Sequence, residues 1–241
     1  MADVQTSSRP RVHRDVVETL AHRILSGGIK PGESLPNTQN LSAALGVSRS
    51  ALREAIKVLS AKGMLDVRPR TGTRVLPRSS WNLMDPELLS WSGPILDEDL
   101  VRGLLECRKL IEPGAAALAA QRATPAQLAE IETALAQMDA DTLEERVQAD
   151  LNFHVAILRA SANLFLAQWG QTVSSVLLAA FRLSTGATHS YDATFSAHQD
   201  VVDAIRRRDP TAADRSMRAV LSAMAHDLHL ENSDTASTPE K

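Results

Sequence analysis

The chain has 241 residues, with 26 Lys and Arg against 29 Asp and Glu, and aromatics make up only 3% of it. That length predicts two domains of ordinary size, and so few aromatic rings argue against a stacking platform for single-stranded nucleic acid. One cysteine, Cys107, excludes a disulfide framework and a cysteine-based zinc finger. No apolar run approaches the ~18 residues that would span a membrane. The opening MADVQTSSRPR lacks the apolar core of a signal peptide, so a soluble, cytoplasmic protein is expected. The net charge of −3 hides a split: residues 1–80 carry 13 basic and 6 acidic side chains (net +7), and residues 81–241 carry 13 and 23 (net −10). A basic first third joined to an acidic remainder points to a nucleic-acid module attached to a module of another kind. Chance segregation of surface charge is the bland alternative.

Residues 1–10 and 232–241 are small, polar and proline-containing, and are expected to be disordered tails. Residues 11–78 read as one DNA-binding unit. LPNTQNLSAAL predicts a short helix capped by Asn37. GVSRSALREAIKVL then predicts a tight turn at Gly46-Val47 and a second helix capped by Ser48. Arg49, Ser50 and Arg53 are exposed on its first turns, with Ala51, Leu52, Ala55, Ile56 and Leu59 as the apolar stripe behind. Two short helices joined by a tight turn make a helix-turn-helix, whose second helix puts its N-terminal residues into the major groove. An ordinary surface helical hairpin is the competing reading. The residues that follow favour the first: Leu65–Arg68 and Thr73–Leu76 read as two strands joined by a turn at Pro69, Arg70, Thr71 and Gly72. That is a basic wing, and the unit is a winged helix.

Residues 79–97 form a connector with a short helix near Pro86–Trp91. Helical patterns follow at about 98–122, 125–139, 142–161, 163–185, 191–208 and 210–230. Thr124-Pro125 and Asp209-Pro210 mark two of the starts. No strand pattern appears after the wing, so residues 98–231 predict an all-α antiparallel bundle and the whole chain is mainly α. Cys107 reads as a small core residue of the first bundle helix.

Three bundle helices interrupt their own apolar stripes with polar residues. Arg108 breaks the stripe of Val101, Leu104, Leu105, Ile111 and Ala115. Asp150 and His154, four apart and so on one face, break that of Val147, Leu151, Ile157 and Leu158. His198 breaks that of Phe195, Val201, Val202 and Ile205. Burying such groups without partners is costly, so they are expected to meet in a polar cavity. Asp-x-x-x-His with a distant histidine suits a three-ligand site for a divalent cation, zinc by default, and a nearby Arg suits a carboxylate ligand. Each residue also has a plain structural reading: a satisfied core histidine, or an Arg108 paired with Glu112 or Asp150. His189, His226 and His229 read as surface or helix-end histidines.

The stretch GESLPNTQNLSAALGVSRSALREAIKVLSAKGMLDVRPRTGTRV resembles the DNA-binding domain of the GntR family. The resemblance implies that Arg49 and Arg53 contact bases or phosphates and that Ser48 and Ser50 contact phosphates. It also implies that the wing tip, Arg70, Thr71, Gly72 and Thr73, reaches the minor groove. Two positions depart from the family pattern. Thr38-Gln39 replaces a Glu-Arg pair, so Gln39 stands where the family has a DNA-contacting Arg, and Arg70 replaces a wing glycine. ECRKLIEPGAAALAAQRAT, DLNFHVAILRASANLFL and FSAHQDVVDAIRRRDPTAADRSMRAVL together resemble the FCD effector domain of the FadR subfamily. By that resemblance Asp150, His154 and His198 are metal ligands and Arg108 meets the effector's carboxylate. Val220 stands where many members place a further histidine, which leaves three protein ligands. RSSWNLMDPELLSWSG in the connector resembles the subgroup that responds to sugar acids of the galactonate type. Packing of Trp81 and Trp91 against the bundle is the plain alternative there.

The expectation is therefore a metabolite-responsive transcription regulator, a repressor by family habit. It would bind a pseudo-palindromic double-stranded DNA operator as a homodimer and be released by a small carboxylate. A metal-dependent enzyme carrying a nucleic-acid module is the alternative from another class, weakened by the lack of a base paired with a nucleophile. A purely architectural DNA-binding protein is a third.

Overall fold

The computed structural model describes residues 9–69, 71–85, 87, 88, 91, 98–171, 174 and 191–227. Arg70, most of 86–97, most of 172–190 and both ends lie outside them. So do the predicted tails (apart from residues 9 and 10), much of the predicted 163–185 helix, His189 and His229. The chain divides into two compact units, Met1–Ile95 and Leu96–Lys241.

The first unit runs α1 (Arg9–Leu25), α2 (Thr38–Leu45), α3 (Arg49–Ala61), β1 (Leu65–Arg68), β2 (Gly72–Val75) and a 3-10 turn, Arg78–Ser80. The expected caps form: Asn37 accepts from the Asn40 amide at 2.8 Å, and Ser48 accepts from the Ala51 amide at 3.2 Å. Gly46 ends α2 in the left-handed conformation, φ 65°, which glycine adopts without a Cβ penalty. The strands pair antiparallel from Leu65 opposite Val75 to Arg68 opposite Gly72, so the second begins one residue before the predicted Thr73. Residues 32–35 cover the other edge of β2, through Leu35 N to Thr73 O at 2.8 Å and Val75 N to Glu33 O at 2.9 Å. A two-stranded hairpin is marginal alone, and this third pairing steadies the wing.

The core of this unit joins α1, α3 and the wing through Leu20, Leu52, Leu59, Met64 and Leu65, and also takes Trp81, Leu88 and Trp91 from the connector. The two tryptophans therefore pack into the core of the DNA-binding unit, where the plain alternative placed them against the bundle. Trp81 donates its indole N–H to the Leu76 carbonyl at 3.0 Å. Gly63, φ 74°, follows α3; a Cβ there would meet the Ser80 carbonyl oxygen at 2.1 Å, so the connector lies on bare backbone. Beside it Lys62 is buried, paired with Asp85 at 2.7 Å and Glu87 at 2.8 Å, with its ammonium 5.1 Å from the Trp91 ring centroid.

The second unit contains α4 (Glu98–Arg122), α5 (Pro125–Gln137), α6 (Leu143–Ala160), α7 (Tyr191–Arg206) and α8 (Pro210–Asp227). Residues 164–171 are also helical, and their Trp169 packs on Val147 and Leu151. Thr124 and Thr142 each form a capping box, with Gln127 and Glu145. Asp209 caps α8 through the Ala212 amide at 3.0 Å. The core is built of small and medium side chains, Ala116, Ala119, Ala120, Ile131, Ile157, Ala204 and Ala213 among them, which permits close helix approach. Pro113 lies within α4, and the helix continues through it. The inward face of α4 carries Leu105, Arg108, Glu112, Ala115 and Ala119, at helical spacing. Cys107 falls beside that face and is exposed, which corrects its reading as a core residue. No helix among the described residues is long and apolar enough to cross a membrane.

Candidate functional site

Two i, i+4 pairs and one residue from a third helix build the site. Arg108 and Glu112 come from α4, Asp150 and His154 from α6, and His198 from α7. All five are buried, Arg108 at 0% exposure and Glu112 at 1%. Oδ1 of Asp150 lies 3.1 Å from Nε2 of His198 and 3.7 Å from Nε2 of His154. One ligand atom from each of Asp150, His154 and His198 can be chosen so that all lie within 4.8 Å of one another. Phe153 sets the two rings: it meets His198 edge-on at 5.0 Å between centroids and His154 at 5.6 Å.

Arg108 is held by Glu112, Nε to Oε1 at 2.6 Å and Nη2 to Oε2 at 3.2 Å. Its Nη1 points at the thioether of Met224 at 2.9 Å, a weak acceptor. Oε2 of Glu112 also lies 2.7 Å from Nδ1 of His154. Burial by itself raises the Glu112 carboxyl; Arg108 and then His154 outweigh it and hold it down at about 2. Asp150 is likewise held below the carboxylate range, burial raising it and His154 and His198 pulling it down.

The residues present fit a divalent cation. Arg108 and Glu112 cancel, and Asp150 adds a second carboxylate to the cluster beside the two imidazoles. Nε2 of buried His154, the nitrogen turned away from Glu112, lacks a hydrogen-bond partner, which is unusual for a buried polar atom unless a ligand completes it. One carboxylate and two imidazoles suit a borderline cation such as zinc. Val220, 1% exposed, and Met217 are apolar core residues of α8, and among the described residues α8 adds no ligand to the group. The side chain of His226 lies outside those described. Two open, alanine-lined grooves between α5 and α6 include none of these residues.

Glu112 is the residue that sequence reading undervalued. Its pairing with Arg108 was one open alternative, but its approach to His154 depends on how α4 and α6 pack. The available signal was an acid one turn beyond Arg108, on the same face of an alanine-rich helix.

In the first unit, Gln39, Ser48, Arg49, Ser50, Arg53, Thr71 and Gly72 are exposed and Thr73 is half-buried. The Ser48 hydroxyl is engaged as the α3 cap and lies 3.0 Å from that of Ser50. Arg70 lies outside the described residues.

Residues 13–75 match the family model of bacterial regulatory proteins of the gntR family, and residues 103–223 match the FCD domain. The chain is 38% identical over 224 residues to an Escherichia coli protein named as the uncharacterized HTH-type transcriptional regulator YieP, covering 90% of this chain and 95% of that one. It is 33% identical over 220 residues to the galactonate operon transcriptional repressor of Escherichia coli, covering 88% and 95%. It is also 33% identical over 206 residues to the HTH-type transcriptional regulator LutR of Bacillus subtilis, covering 83% and 93%. Among solved structures, it is similar to Lar, described as controlling the agr system of Listeria monocytogenes. There the TM-score is 0.60 at 20% identity, over 95% of this chain and all of that one. These relatives are regulators and not enzymes, which removes the metal-dependent enzyme from consideration. A winged helix with an exposed basic recognition helix and an FCD bundle, matched over nine-tenths of its length, places this chain in the GntR family as a DNA-binding transcriptional regulator.

Proposed function

We propose that this regulator is a repressor released from its operator by a small 2-hydroxy acid, of which galactonate is the first to try. The observation that carries the reading is the buried Asp150, His154 and His198 group beside Arg108. The similarity to a galactonate operon repressor supports the choice of ligand. Asp150, His154 and His198 would hold one divalent cation, zinc by donor type. When bound, the cation supplies a chelation point for a carboxylate and its adjacent hydroxyl. Arg108 meets the carboxylate from the protein side, and Asp150 fixes the histidines it touches. Release from DNA requires that the acid bind the two states of the regulator with different affinity, not merely occupy the site.

On the DNA side, Arg49 and Arg53 read the major groove. Gln39, Ser48, Ser50 and the wing residues Arg70, Thr71, Gly72 and Thr73 position the unit on the backbone and minor groove. A homodimer on a pseudo-palindromic site supplies the contact area that one winged helix lacks. Leu110, Leu164 and Phe165, each more than four-fifths exposed, are apolar surface that a second copy would cover.

The test is operator release followed by fluorescence anisotropy at fixed salt. Galactonate should release the zinc-loaded protein and fail after chelation, and Arg49→Ala or Arg53→Ala should each weaken operator binding by about 1–3 kcal/mol. Release that survives thorough chelation would remove the metal from the scheme. Unchanged operator affinity in both arginine variants would remove the DNA assignment.

A further inference from the structure

The Arg108–Glu112 pair is commonplace taken alone. What sets it apart is that the same carboxylate faces a histidine of the candidate metal group. Oε1 takes the Arg108 Nε–H at 2.6 Å. Oε2 lies 3.2 Å from Nη2 of Arg108 and 2.7 Å from Nδ1 of His154. Nε2 of His154 points the other way, toward Asp150 at 3.7 Å. A ring that offers Nε2 to a cation must carry its proton on Nδ1, and here Nδ1 faces an ionised carboxylate. Such outer carboxylates fix the tautomer and orientation of metal-binding histidines.

The arginine side is equally constrained. Glu112 occupies the Nε and Nη2 edge of the guanidinium. Nη1 is left facing the thioether of Met224, a weak acceptor. The Nη1 and Nη2 end is therefore the edge a carboxylate ligand would approach, and Glu112 sets where that edge points.

Resting on the metal and effector reading above, we propose that Glu112 is the positioning residue of the site: one carboxylate orients His154 toward the cation and aims Arg108 toward the effector. The two anchor points of a hydroxy acid are then held in register by a single side chain. The short i, i+4 spacing on α4 and the packing of α4 against α6 suffice to build it.

Cobalt(II) serves as the probe, titrated into the full-length, metal-stripped protein and read by its visible absorption and by competition with a chelator. Glu112→Gln should weaken cobalt binding by about 10–100-fold and change the band shape, while operator binding without effector stays at the wild-type level. In nitrogen-15 spectra of the histidines and arginines, wild-type His154 should show the Nδ1-protonated tautomer. The variant should show a mixed tautomer and a displaced Arg108 Nε signal. Because one neutral residue opposite a buried Arg can impair folding, a second variant replaces both members by apolar side chains, Arg108→Met with Glu112→Leu. Swaps of that kind are often tolerated, and this one should show the same loss of cobalt affinity. Wild-type cobalt affinity and an unchanged His154 tautomer in the folded variants would overturn the role of Glu112 alone. A wild-type protein that takes up no cobalt would overturn this inference together with the metal reading beneath it.

Discussion

Among the described residues each unit holds an ionic cluster around a buried cation, and the two differ in a way that separates structure from ligand binding. In the DNA-binding unit Lys62 meets Asp85, Glu87 and the face of Trp91. Its acids reach water, Glu87 being 54% exposed, and the cation's donors are taken up within the cluster. In the bundle Arg108, Glu112, Asp150, His154 and His198 are all buried, yet Nε2 of His154 lacks a hydrogen-bond partner. A cluster that satisfies itself holds two segments together, here the end of the recognition helix and the connector. A sealed cluster with a ring nitrogen left over is built around something else. The tryptophans and acids of the connector, whose pattern resembles sugar-acid responders, belong to the first kind.

The sharpest way to break this comparison is to remove the cation from each cluster. Arg108→Met removes the guanidinium from buried Glu112, and should destabilise the bundle by about 3–5 kcal/mol. Hydrogen exchange that resolves α4, α6 and α8 would measure it, and near-wild-type protection would mean that the bundle relaxes to admit water. Zinc comes next. At a hundred times its dissociation constant it should stabilise the bundle by about 2.7 kcal/mol and leave exchange in α1 and α3 unchanged. Equal protection of both units would make the effect non-specific. Lys62→Met is expected to cost less, about 1–2 kcal/mol, because Asp85 and Glu87 can turn to solvent. It should loosen the connector before the α1–α3 core, and chemical denaturation with tryptophan fluorescence follows it directly.

The smallest effect is in pH. Burial would raise Asp85, but its bonds from Lys62 and from the Glu87 and Leu88 amides hold it below its ordinary value. Its contribution is fully present above the ordinary aspartate value of ~3.9 and is lost as pH falls through the depressed native value. Lys62 has the opposite sign. Burial lowers it, Asp85 and Glu87 raise it more, and its contribution is lost only as pH climbs through that raised value above ~10.4. The contribution of this cluster should therefore be flat between these limits, and Asp85→Asn should remove its acid-side decline.

Much of this was legible in the chain itself. Three helices announce their own starts, through Ser48, Thr124-Pro125 and Asp209-Pro210, because capping is a local affair. The polar interruptions of apolar stripes marked Arg108, Asp150, His154 and His198, since a buried charge violates the helical pattern wherever it occurs. Cys107 was misread because a hydrophobic helix does not say where its inward face ends. One residue's rotation, 100°, separates Cys107 from buried Arg108. The packing of Trp81 and Trp91 was not legible because a connector offers no periodicity to show which unit it packs against.

The sequence by itself determined the helix starts, the recognition helix, the wing and the candidate ligands, because each follows from local spacing and from what a buried charge cannot tolerate. Only the tertiary structure decided that Glu112 stands between Arg108 and His154 and that Lys62 fastens the connector to α3. Those contacts join elements 23 and 42 residues apart, and which partner a buried charge finds depends on the packing of whole helices, which no local pattern records.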